Sequence, residues 1–359
     1  MRVLFGSTDG QGHLRPLVPF ASAARDAGHD VVLLASAGVS IPGVPQLLLP
    51  EPMDAEERGR VVERAPTLTP LEADRLVVTE IFGRLNTTAT LPTAVRHVEA
   101  WRPDLVVHES ACASARLAAE CAGVPTVAVH PSLPSLTRFL DLLTDGVAPL
   151  RAALGLPPDE DRMTSGAHAT LFPASMEIPG ADPPPVRRYR VDAARSSRTG
   201  GAYVTLGTVA RYMPFFADVL RAAVAGSTSA GLATTVATGG PADLPDLPAG
   251  AEVHVWVDQA EVLRTARVIV CHGGSGTVID ALAAGVPIVV VPLFADQFPN
   301  AERIEALGVG VRVDPGPDLA ARIAEAVAAA QEIEVSIADE IAALPHVSAA
   351  VPWFEEIAG

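Results

Sequence analysis

Short apolar runs alternate with helix-forming segments along most of this chain. Residues 2–5 form an apolar run that leads into a glycine-containing loop, a helical segment from about Pro16 and a second apolar run at residues 31–35. The same order recurs at residues 105–129. Strands that alternate with helices are typical of a parallel sheet with helices on both faces. The sequence therefore predicts an α/β fold with doubly wound sheets.

A proline-rich stretch separates two such series. Residues 172–201 contain five prolines and are predicted to be an interdomain linker. A second series of strands and helices follows at residues 202–291, and an amphipathic, alanine-rich helical region is predicted at residues 319–344. We therefore expect two Rossmann-like domains, with a cleft between the carboxyl ends of their strands.

Composition excludes several classes of function. The net charge of −16 argues against nucleic acid or an anionic membrane as a partner. All 26 basic residues are arginine, which excludes Schiff-base and Walker A lysine chemistry. No apolar run approaches the roughly 18 residues of a membrane helix, and the first residues lack the layout of a signal peptide. Three cysteines without paired spacing are typical of a reducing compartment, so we expect a cytoplasmic protein.

The densest motif is Cys-His-Gly-Gly-Ser-Gly-Thr at residues 271–277. It follows a predicted strand and opens a predicted helix, whose first turn offers free N–H groups and about half a positive charge. Glycines let the backbone approach an anion closely, so the motif predicts a phosphate cradle. His272 can add a hydrogen bond to a diphosphate oxygen. An ordinary glycine turn before a helix is the alternative interpretation.

Residues on both sides of this motif favour a nucleotide ligand. Trp256 ends a predicted strand, where an indole can stack on a base, although a single tryptophan is more often a core residue. Asp280 lies one or two turns into the helix, within reach of a ribose hydroxyl. The pair Asp296 and Gln297 follows a buried strand and suits sugar hydroxyls. Thr208 follows the first strand of the second series and can contact a diphosphate.

Residues 256–300 resemble the donor-binding signature of the inverting glycosyltransferases with two Rossmann-like domains, the GT-B fold. The shared elements are Trp-Val-x-Gln, His-Gly-Gly-x-Gly-Thr and Asp-Gln-Phe-x-Asn-Ala. The resemblance runs the length of the chain and is strongest to the bacterial enzymes that decorate macrolides, enediynes and aromatic polyketides. It departs from them at Asp258, where the family usually has proline.

The resemblance implies a role for each matching position. The base and ribose side would be held by Trp256 and Gln259, with Asp280 on the ribose. The diphosphate would be surrounded by Thr208, His272, Gly274, Ser275, Gly276 and Thr277. The sugar would meet Asp296 and Gln297. It also implies an acceptor domain at residues 1–185, a nucleotide-sugar domain at residues 186–345, and a final helix at residues 346–359 that packs back toward the first domain.

The opening loop supplies a candidate general base. Gly10-Gln11-Gly12-His13 lacks the third glycine of the dinucleotide fingerprint, which argues against a dehydrogenase. His13 is predicted at a helix start, where the dipole favours a neutral imidazole. The resemblance implies that His13 is the base and that an aspartate at the end of a later strand orients it. Here Glu109 occupies that place.

The acceptor pocket is expected from residues 47–91 and 132–154. Candidate apolar contacts are Phe82, Leu136, Phe139 and Leu140, although each of them could equally be a core residue. The only Asp-x-Asp sequence, at residues 159–161, lies in a proline-rich acidic loop and is predicted to be solvated, not a magnesium site.

The expected activity is inverting transfer of a sugar, preferably a deoxysugar, to a hydroxyl of a small apolar natural product. The donor would be a thymidine or uridine diphosphate sugar, with no metal ion or other cofactor. Two alternatives stay open: a catalytically silent partner of another transferase, and C-glycosylation of an aromatic acceptor. A hydrolase is disfavoured because Gly-Gly-Ser-Gly-Thr departs from the Gly-x-Ser-x-Gly elbow at its last position. A homodimer is left open by the sequence.

Overall fold

The computed structural model describes residues 1–51, 55–64, 67–241 and 247–359. The chain divides into two compact units. Unit 1 comprises Met1–Leu171, Pro179–Val191 and Pro345–Gly359. Unit 2 comprises Phe172–Ile178 and Asp192–Leu344.

Unit 1 is built on a parallel sheet of seven strands within the described residues. Its strands are β1 (Arg2–Gly6), β2 (Asp30–Ala35), β3 (Gln46–Leu48), β4 (Leu105–Glu109), β5 (Thr126–Val129), β6 (Ala167–Thr170) and β7 (Val186–Arg188). They lie in the order β3-β2-β1-β4-β5-β6-β7. The central strands are buried on both faces, which explains their unbroken apolar sequences. Strands β3, β6 and β7 are short, and the sequence analysis did not predict them.

Helices and one π-helix surround this sheet. They are α1 (Gln11–Leu14), α2 (Val18–Asp26), α3 (Ala55–Arg64), α4 (Pro70–Arg75), the π-helix Leu76–Asn86, α5 (Thr87–Trp101), α6 (Ala113–Ala122), α7 (Thr137–Ala153) and the last helix of the chain, α14 (Ala350–Ala358). The predicted first helix is thus interrupted: a four-residue turn precedes Pro16, and α2 begins two residues after it.

The last helix of the chain packs in unit 1. Phe354 of α14 packs against Phe20 of α2, with ring centroids 6.2 Å apart, and Phe20 meets Tyr189 edge-on at 5.6 Å. His346, which precedes α14 in the chain, forms an isolated parallel β-bridge with Arg190. The expected return of the C-terminal helix to the first domain is therefore confirmed.

Unit 2 contains a second parallel sheet, of six strands within the described residues. Its strands are β8 (Ala202–Thr205), β9 (Thr234–Ala237), β10 (Ala251–His254), β11 (Val268–Cys271), β12 (Ile288–Val290) and β13 (Gly310–Arg312), in the order β10-β9-β8-β11-β12-β13. Its helices are α8 (Phe216–Ser229), α9 (Gln259–Leu263), α10 (Ser275–Ala284), α11 (Gln297–Ala306), α12 (Leu319–Ala330) and α13 (Ile337–Ala343). Two Rossmann-like α/β units are thus present, as predicted. None of the helices in the described parts of the chain has the length and apolar character to cross a membrane.

Two segments differ from the sequence interpretation. The proline-rich stretch is more than a linker, because its residues 186–188 form β7, which pairs with β6. The helical region at residues 319–344 is two helices and not one. Arg198 ends the first of them: its guanidinium donates to the backbone carbonyls of Gln331 and Ile333 at 2.6 and 2.9 Å. Such a contact from a distant segment leaves no trace in local periodicity.

Three histidines form a buried cluster in unit 1. His108 lies on β4, His130 follows β5, and His168 lies on β6. The Nε2 atom of His130 is 3.0 Å from Nδ1 of His168. Burial lowers the pKa of His108 to about 4 and that of His130 to about 3, and it also lowers the pKa of His168. All three imidazoles are therefore neutral at pH 7.

We expect this cluster to make the fold sensitive to acid. A histidine whose pKa is lower in the folded state contributes stability that is fully present above the unfolded pKa of about 6.5 and is lost as pH falls. Each such histidine costs roughly 1.4 kcal/mol per pH unit between about pH 6.5 and its folded pKa. Denaturant unfolding at pH 7, 6 and 5 measures this slope. The variant His130→Gln should flatten it, whereas the partly exposed control His254→Gln should not. An unchanged slope in His130→Gln would contradict the assignment.

Candidate active site

Strand register brings the candidate base and its partner together. Strands β1 and β4 are neighbours, and Gly6 lies opposite His108. The loop that follows β1 carries Thr8, the short helix α1 after it carries His13, and Glu109 is the last residue of β4. The two side chains therefore meet at the carboxyl ends of adjacent strands, where the winding of the sheet reverses and ligands bind in folds of this kind.

Glu109 is a fully buried carboxylate with an almost complete set of partners. Its Oε1 accepts hydrogen bonds from the backbone N–H and the hydroxyl of Thr8, at 3.2 and 2.7 Å. Its Oε2 accepts one from the N–H of Ala111 at 2.8 Å and lies 3.3 Å from Nδ1 of His13. The methylene that distinguishes glutamate from the expected aspartate is thus accommodated, and the side chain reaches the histidine.

The charge of Glu109 influences the tautomer of His13. Burial would raise the pKa of this carboxyl, but the nearby His13 and the hydrogen bonds from Thr8 and Ala111 outweigh burial and hold the pKa below its usual value. An ionised carboxylate opposite Nδ1 favours the tautomer with a proton on that atom, which places the proton-accepting lone pair of the ring on Nε2. The four-residue α1 is too short to supply the dipole effect expected from the sequence, so the carboxylate is the main electrostatic influence.

The four acceptor candidates have different surroundings. The Phe82 ring packs against the His13 ring, with centroids 5.0 Å apart and planes tilted by 41°. Phe139 is partly exposed, beneath the guanidinium of Arg138. Leu136 and Leu140 are each only 6% exposed, and Leu140 belongs to an apolar core cluster. For these two leucines, the structure therefore favours the core interpretation. Residues 52–54 and 65–66 of the expected pocket segment lie outside the described residues.

The glycine motif of unit 2 forms an open helix N-terminus. Gly274 precedes α10, and no side chain caps this helix. The N–H groups of Ser275 and Gly276 have no partner within the helix because of its geometry, whereas the Thr277 N–H already donates to the Gly274 carbonyl at 3.0 Å. Gly273 has φ +88°, a conformation that favours glycine. The arrangement matches the predicted phosphate cradle.

The His272 ring lies between two glycines. A Cβ atom at Gly207 or Gly274 would come within 2.6 or 2.4 Å of its Nε2, so no other residue fits at either place while the ring stays there. Burial lowers the pKa of His272 to about 4, and a backbone hydrogen bond to Thr205 offsets this only in part. The ring is neutral at pH 7 and closely packed, so His272 has a packing role that the sequence did not predict. Thr208 follows Gly207 in the loop after β8 and is partly exposed.

Hydrogen bonds tie the other donor candidates to one another. Gln259 donates from Nε2 to Asp280 at 2.8 Å, and the Thr277 hydroxyl lies 3.5 Å from Oε1 of the same glutamine. The Ser275 hydroxyl donates to Asp296 at 2.7 Å. The sequence placed all five residues at a donor site, and the structure brings them together in these two groups.

Gln297 is buried and supports the loop before α11. Its Oε1 accepts hydrogen bonds from the backbone N–H groups of Leu293 and Phe294, at 2.9 and 3.1 Å. The side-chain carbonyl is therefore committed to the backbone, which restricts the predicted contact between Gln297 and a sugar to the amide N–H₂ group.

Trp256 is exposed and Asp258 has a clear local role. The Trp256 side chain is 65% exposed, so it is not a core residue and its ring is accessible to a ligand. Asp258 is the N-cap of α9, and its carboxylate accepts hydrogen bonds from the N–H groups of Ala260 and Glu261. An aspartate N-cap starts a helix as effectively as the proline that is usual at this point in the family.

Two supporting residues were missed by the sequence analysis. Thr8 holds Glu109, and Asn300 holds the cradle: its Nδ2 donates to the Gly273 carbonyl at 2.9 Å and to the Ser275 hydroxyl at 3.2 Å. The spacing of four residues between Asp296 and Asn300 was an available signal, because it places both side chains on the same face of α11.

The prediction that the acidic loop is fully solvated was wrong for Asp159. Its carboxylate is only 6% exposed and accepts hydrogen bonds from Arg116 at 3.1 Å and from the Met163 N–H at 3.2 Å. Asp159 therefore ties the loop to α6.

The fold and these sites define a class. Two Rossmann-like parallel sheets, one carrying a carboxylate–histidine pair and the other a glycine-lined helix N-terminus, characterise the GT-B glycosyltransferases. Residues 222–358 match the family described as erythromycin biosynthesis protein CIII-like, C-terminal domain. The chain is 32% identical over 347 residues to L-demethylnoviosyl transferase of Streptomyces niveus, covering 91% of this chain and 88% of the relative.

A second relative and one solved structure show similarity to the same class of enzyme. The elloramycin glycosyltransferase ElmGT of Streptomyces olivaceus is 30% identical over 383 residues, covering 96% of this chain and 94% of the relative. The structure of the glycosyltransferase SsfS6 of Streptomyces sp. SF2575, complexed with thymidine diphosphate, superimposes with a TM-score of 0.74 at 25% identity, covering 99% of each chain. The chain belongs to the bacterial GT-B glycosyltransferases of antibiotic and other natural-product biosynthesis.

Proposed function

We propose that this protein is an inverting O-glycosyltransferase. It transfers a deoxysugar from a thymidine or uridine diphosphate sugar, preferably the thymidine form, to a hydroxyl of a small natural product, and it uses no metal ion or other cofactor. The observation that carries the proposal is the 3.3 Å contact between His13 and the buried Glu109. The preference for a thymidine diphosphate donor is supported by the ligand named for SsfS6.

The geometry suits direct displacement. His13 takes the acceptor proton at Nε2 while the acceptor oxygen attacks the anomeric carbon from the face opposite the diphosphate, which inverts the configuration. Glu109 stabilises the imidazolium that forms, because an opposite charge lies within contact distance. The N–H groups at the start of α10 stabilise the diphosphate as it leaves. Glu109 thus stabilises the charge that forms on the acceptor side, and the start of α10 stabilises the charge that forms on the leaving diphosphate.

A panel assay tests the proposal. The protein is incubated with thymidine, uridine and adenosine diphosphate sugars and with phenolic and polyketide acceptors, and products are detected by mass spectrometry and characterised by NMR. An O-linked product of inverted configuration supports the proposal. A product of retained configuration contradicts it. Donor binding without transfer to any acceptor would favour the silent partner, and a C-linked product would favour C-glycosylation.

Trp256→Ala is expected to weaken binding of a thymidine or uridine diphosphate by about 1–3 kcal/mol, because a base stacks on the exposed indole. Calorimetry with the diphosphate alone measures the loss. The neighbouring Val255 is also exposed, so Val255→Ala is a matched control and should bind normally. Equal affinity of Trp256→Ala and the native protein would remove this residue from the site.

Transfer is expected to continue at an unchanged rate after dialysis against EDTA. The N–H groups of α10 offset the charge of the leaving diphosphate, and Asp159 already accepts hydrogen bonds from Arg116 and the backbone. Initial rates are compared before and after dialysis, with and without added magnesium. Loss of activity that magnesium restores would contradict metal independence.

A further inference from the structure

A small pocket in unit 1 adjoins the His13–Glu109 pair. Its lining residues include Ser7, Thr8 and Asp9 from the loop after β1 and Asn86 from the π-helix, and Phe82 adds an aromatic wall. The pocket is close to the pair, because two of its lining residues contact it: Thr8 donates to Glu109 and Phe82 packs against His13. A group bound in it therefore lies beside the proposed base.

Most hydroxyl groups of this pocket already have partners. Ser7 donates to the Thr8 carbonyl at 2.9 Å, and Ser36 donates to Asp9 at 3.2 Å. Two further lining residues, Thr87 and Thr90, donate to carbonyls of the π-helix, those of Phe82 and Asn86, at 2.9 and 2.7 Å. These side chains shape the pocket and are committed to the protein.

Asn86 differs from these hydroxyl-bearing residues of the pocket. The residue is only 8% exposed, and its buried Oδ1 has no hydrogen-bond partner among the described residues. A buried polar group without a partner costs about 1–3 kcal/mol, so such a group is rarely retained unless something satisfies it. Asn86 is among the residues that line the pocket, and a ligand hydroxyl there can supply the missing hydrogen bond.

The position of Asn86 is firmly set. The π-helix packs closely on α7: a Cβ atom at Gly83 would lie 2.8 Å from the Cα of Gly146, and Thr79 donates to the Leu142 carbonyl at 3.0 Å. Asn86 is thus held by a rigid helix pair, which is a requirement for discrimination between ligands.

We propose that Asn86 is a specificity-determining residue that binds a second hydroxyl of the acceptor, distinct from the one that is glycosylated. The amide Oδ1 accepts a hydrogen bond from this hydroxyl. The inference rests on the proposed function and deepens it: the acceptor carries two hydroxyl groups, one at His13 and one at Asn86, and is not apolar throughout. A site built for a hydroxyl strongly rejects the analogue that lacks it, because the buried amide is then left unpaired.

Matched aromatic alcohols test the inference. Binding of 1- and 2-naphthol and of the dihydroxynaphthalene isomers is measured by calorimetry without donor. The native protein should bind at least one dihydroxy isomer about 10-fold more tightly than the naphthols. Asn86→Leu, of similar volume but without hydrogen-bonding atoms, should remove this preference, because the affinity for the dihydroxy isomer falls more than the affinity for the naphthols. Asn86→Ser, which retains a hydroxyl in less volume, serves if the leucine variant does not fold, and should reduce the preference. The exposed Thr88→Val is the control and should retain it.

Several results would overturn the inference: no preference in the native protein, a preference that survives in Asn86→Leu, or an equal loss for both ligand classes. Transfer assays on the same proteins distinguish a failure of this inference from a failure of the proposed function. If the native protein transfers sugar but its preference for dihydroxy ligands does not depend on Asn86, the inference is rejected and the proposed function is retained. An Asn86-dependent preference without transfer to any acceptor rejects the proposed function and supports the binding role of Asn86.

Discussion

Replacing His13 with alanine is expected to lower the turnover number for an alcohol acceptor by roughly 10²–10⁴-fold, the usual contribution of a general base. An alcohol holds its proton tightly near neutral pH, and the Nε2 lone pair of His13 is the proposed acceptor of that proton. Donor affinity should hardly change, because the proposed donor residues belong to unit 2. Steady-state kinetics measures the first effect and calorimetry with the nucleotide diphosphate the second. The matched control His97→Ala, which removes a histidine that contacts the Leu48 carbonyl, should keep its turnover.

The acidity of the acceptor separates a chemical role for His13 from a positioning role. A more acidic phenol needs less help to lose its proton, so it should recover part of the lost turnover in His13→Ala. Equal losses for phenols and alcohols would contradict proton transfer and would indicate that the imidazole, which packs against Phe82, only positions the acceptor.

Replacing Glu109 with glutamine is expected to lower both turnover and stability. Each carboxylate oxygen accepts a hydrogen bond from a backbone N–H, that of Thr8 on one side and that of Ala111 on the other. Whichever way a glutamine amide is turned, its N–H₂ group faces one of these donors, so a buried hydrogen bond becomes a repulsive contact. We expect a loss of about 2–4 kcal/mol in the free energy of unfolding. Turnover should fall by roughly 10–10²-fold, less than in His13→Ala, because the histidine is still present.

Thermal unfolding and steady-state kinetics of one set of variants separate these effects. Glu120→Gln is a control for stability, because Glu120 lies in α6 and forms ion pairs with Arg116 and Arg151, not with His13. Glu109→Asp keeps the charge but shortens the side chain. Retained turnover in this variant would show that charge is the main requirement, and loss of turnover that the reach of glutamate is also needed. If both Glu109 variants keep full turnover while His13→Ala is inactive, the pair is not functional and histidine works alone.

The sequence alone determined the features that are local in the chain. Alternating apolar runs and helices predicted both parallel sheets, because burial on two faces requires unbroken apolar strands. The strand, glycine turn and helix start of residues 267–277 were readable because they are contiguous in the chain, and phosphate binding there stays a prediction. Motif order over residues 256–300 indicated the family for the same reason.

Only the tertiary structure decided which distant residues became partners. Strand order placed β1 beside β4, and this brought Thr8 to Glu109 and His13 to the same carboxylate across about a hundred residues of chain. The packing of α7 made Leu140 a core residue, although the sequence had offered it as an acceptor contact, and Trp256 at the predicted strand end is exposed. Hydrophobic periodicity reports which face of an element is buried but not what covers it, because the covering element is chosen by sheet order and packing. For this reason the Asn86 Oδ1 atom, which has no hydrogen-bond partner among the described residues, could be found only in the folded protein.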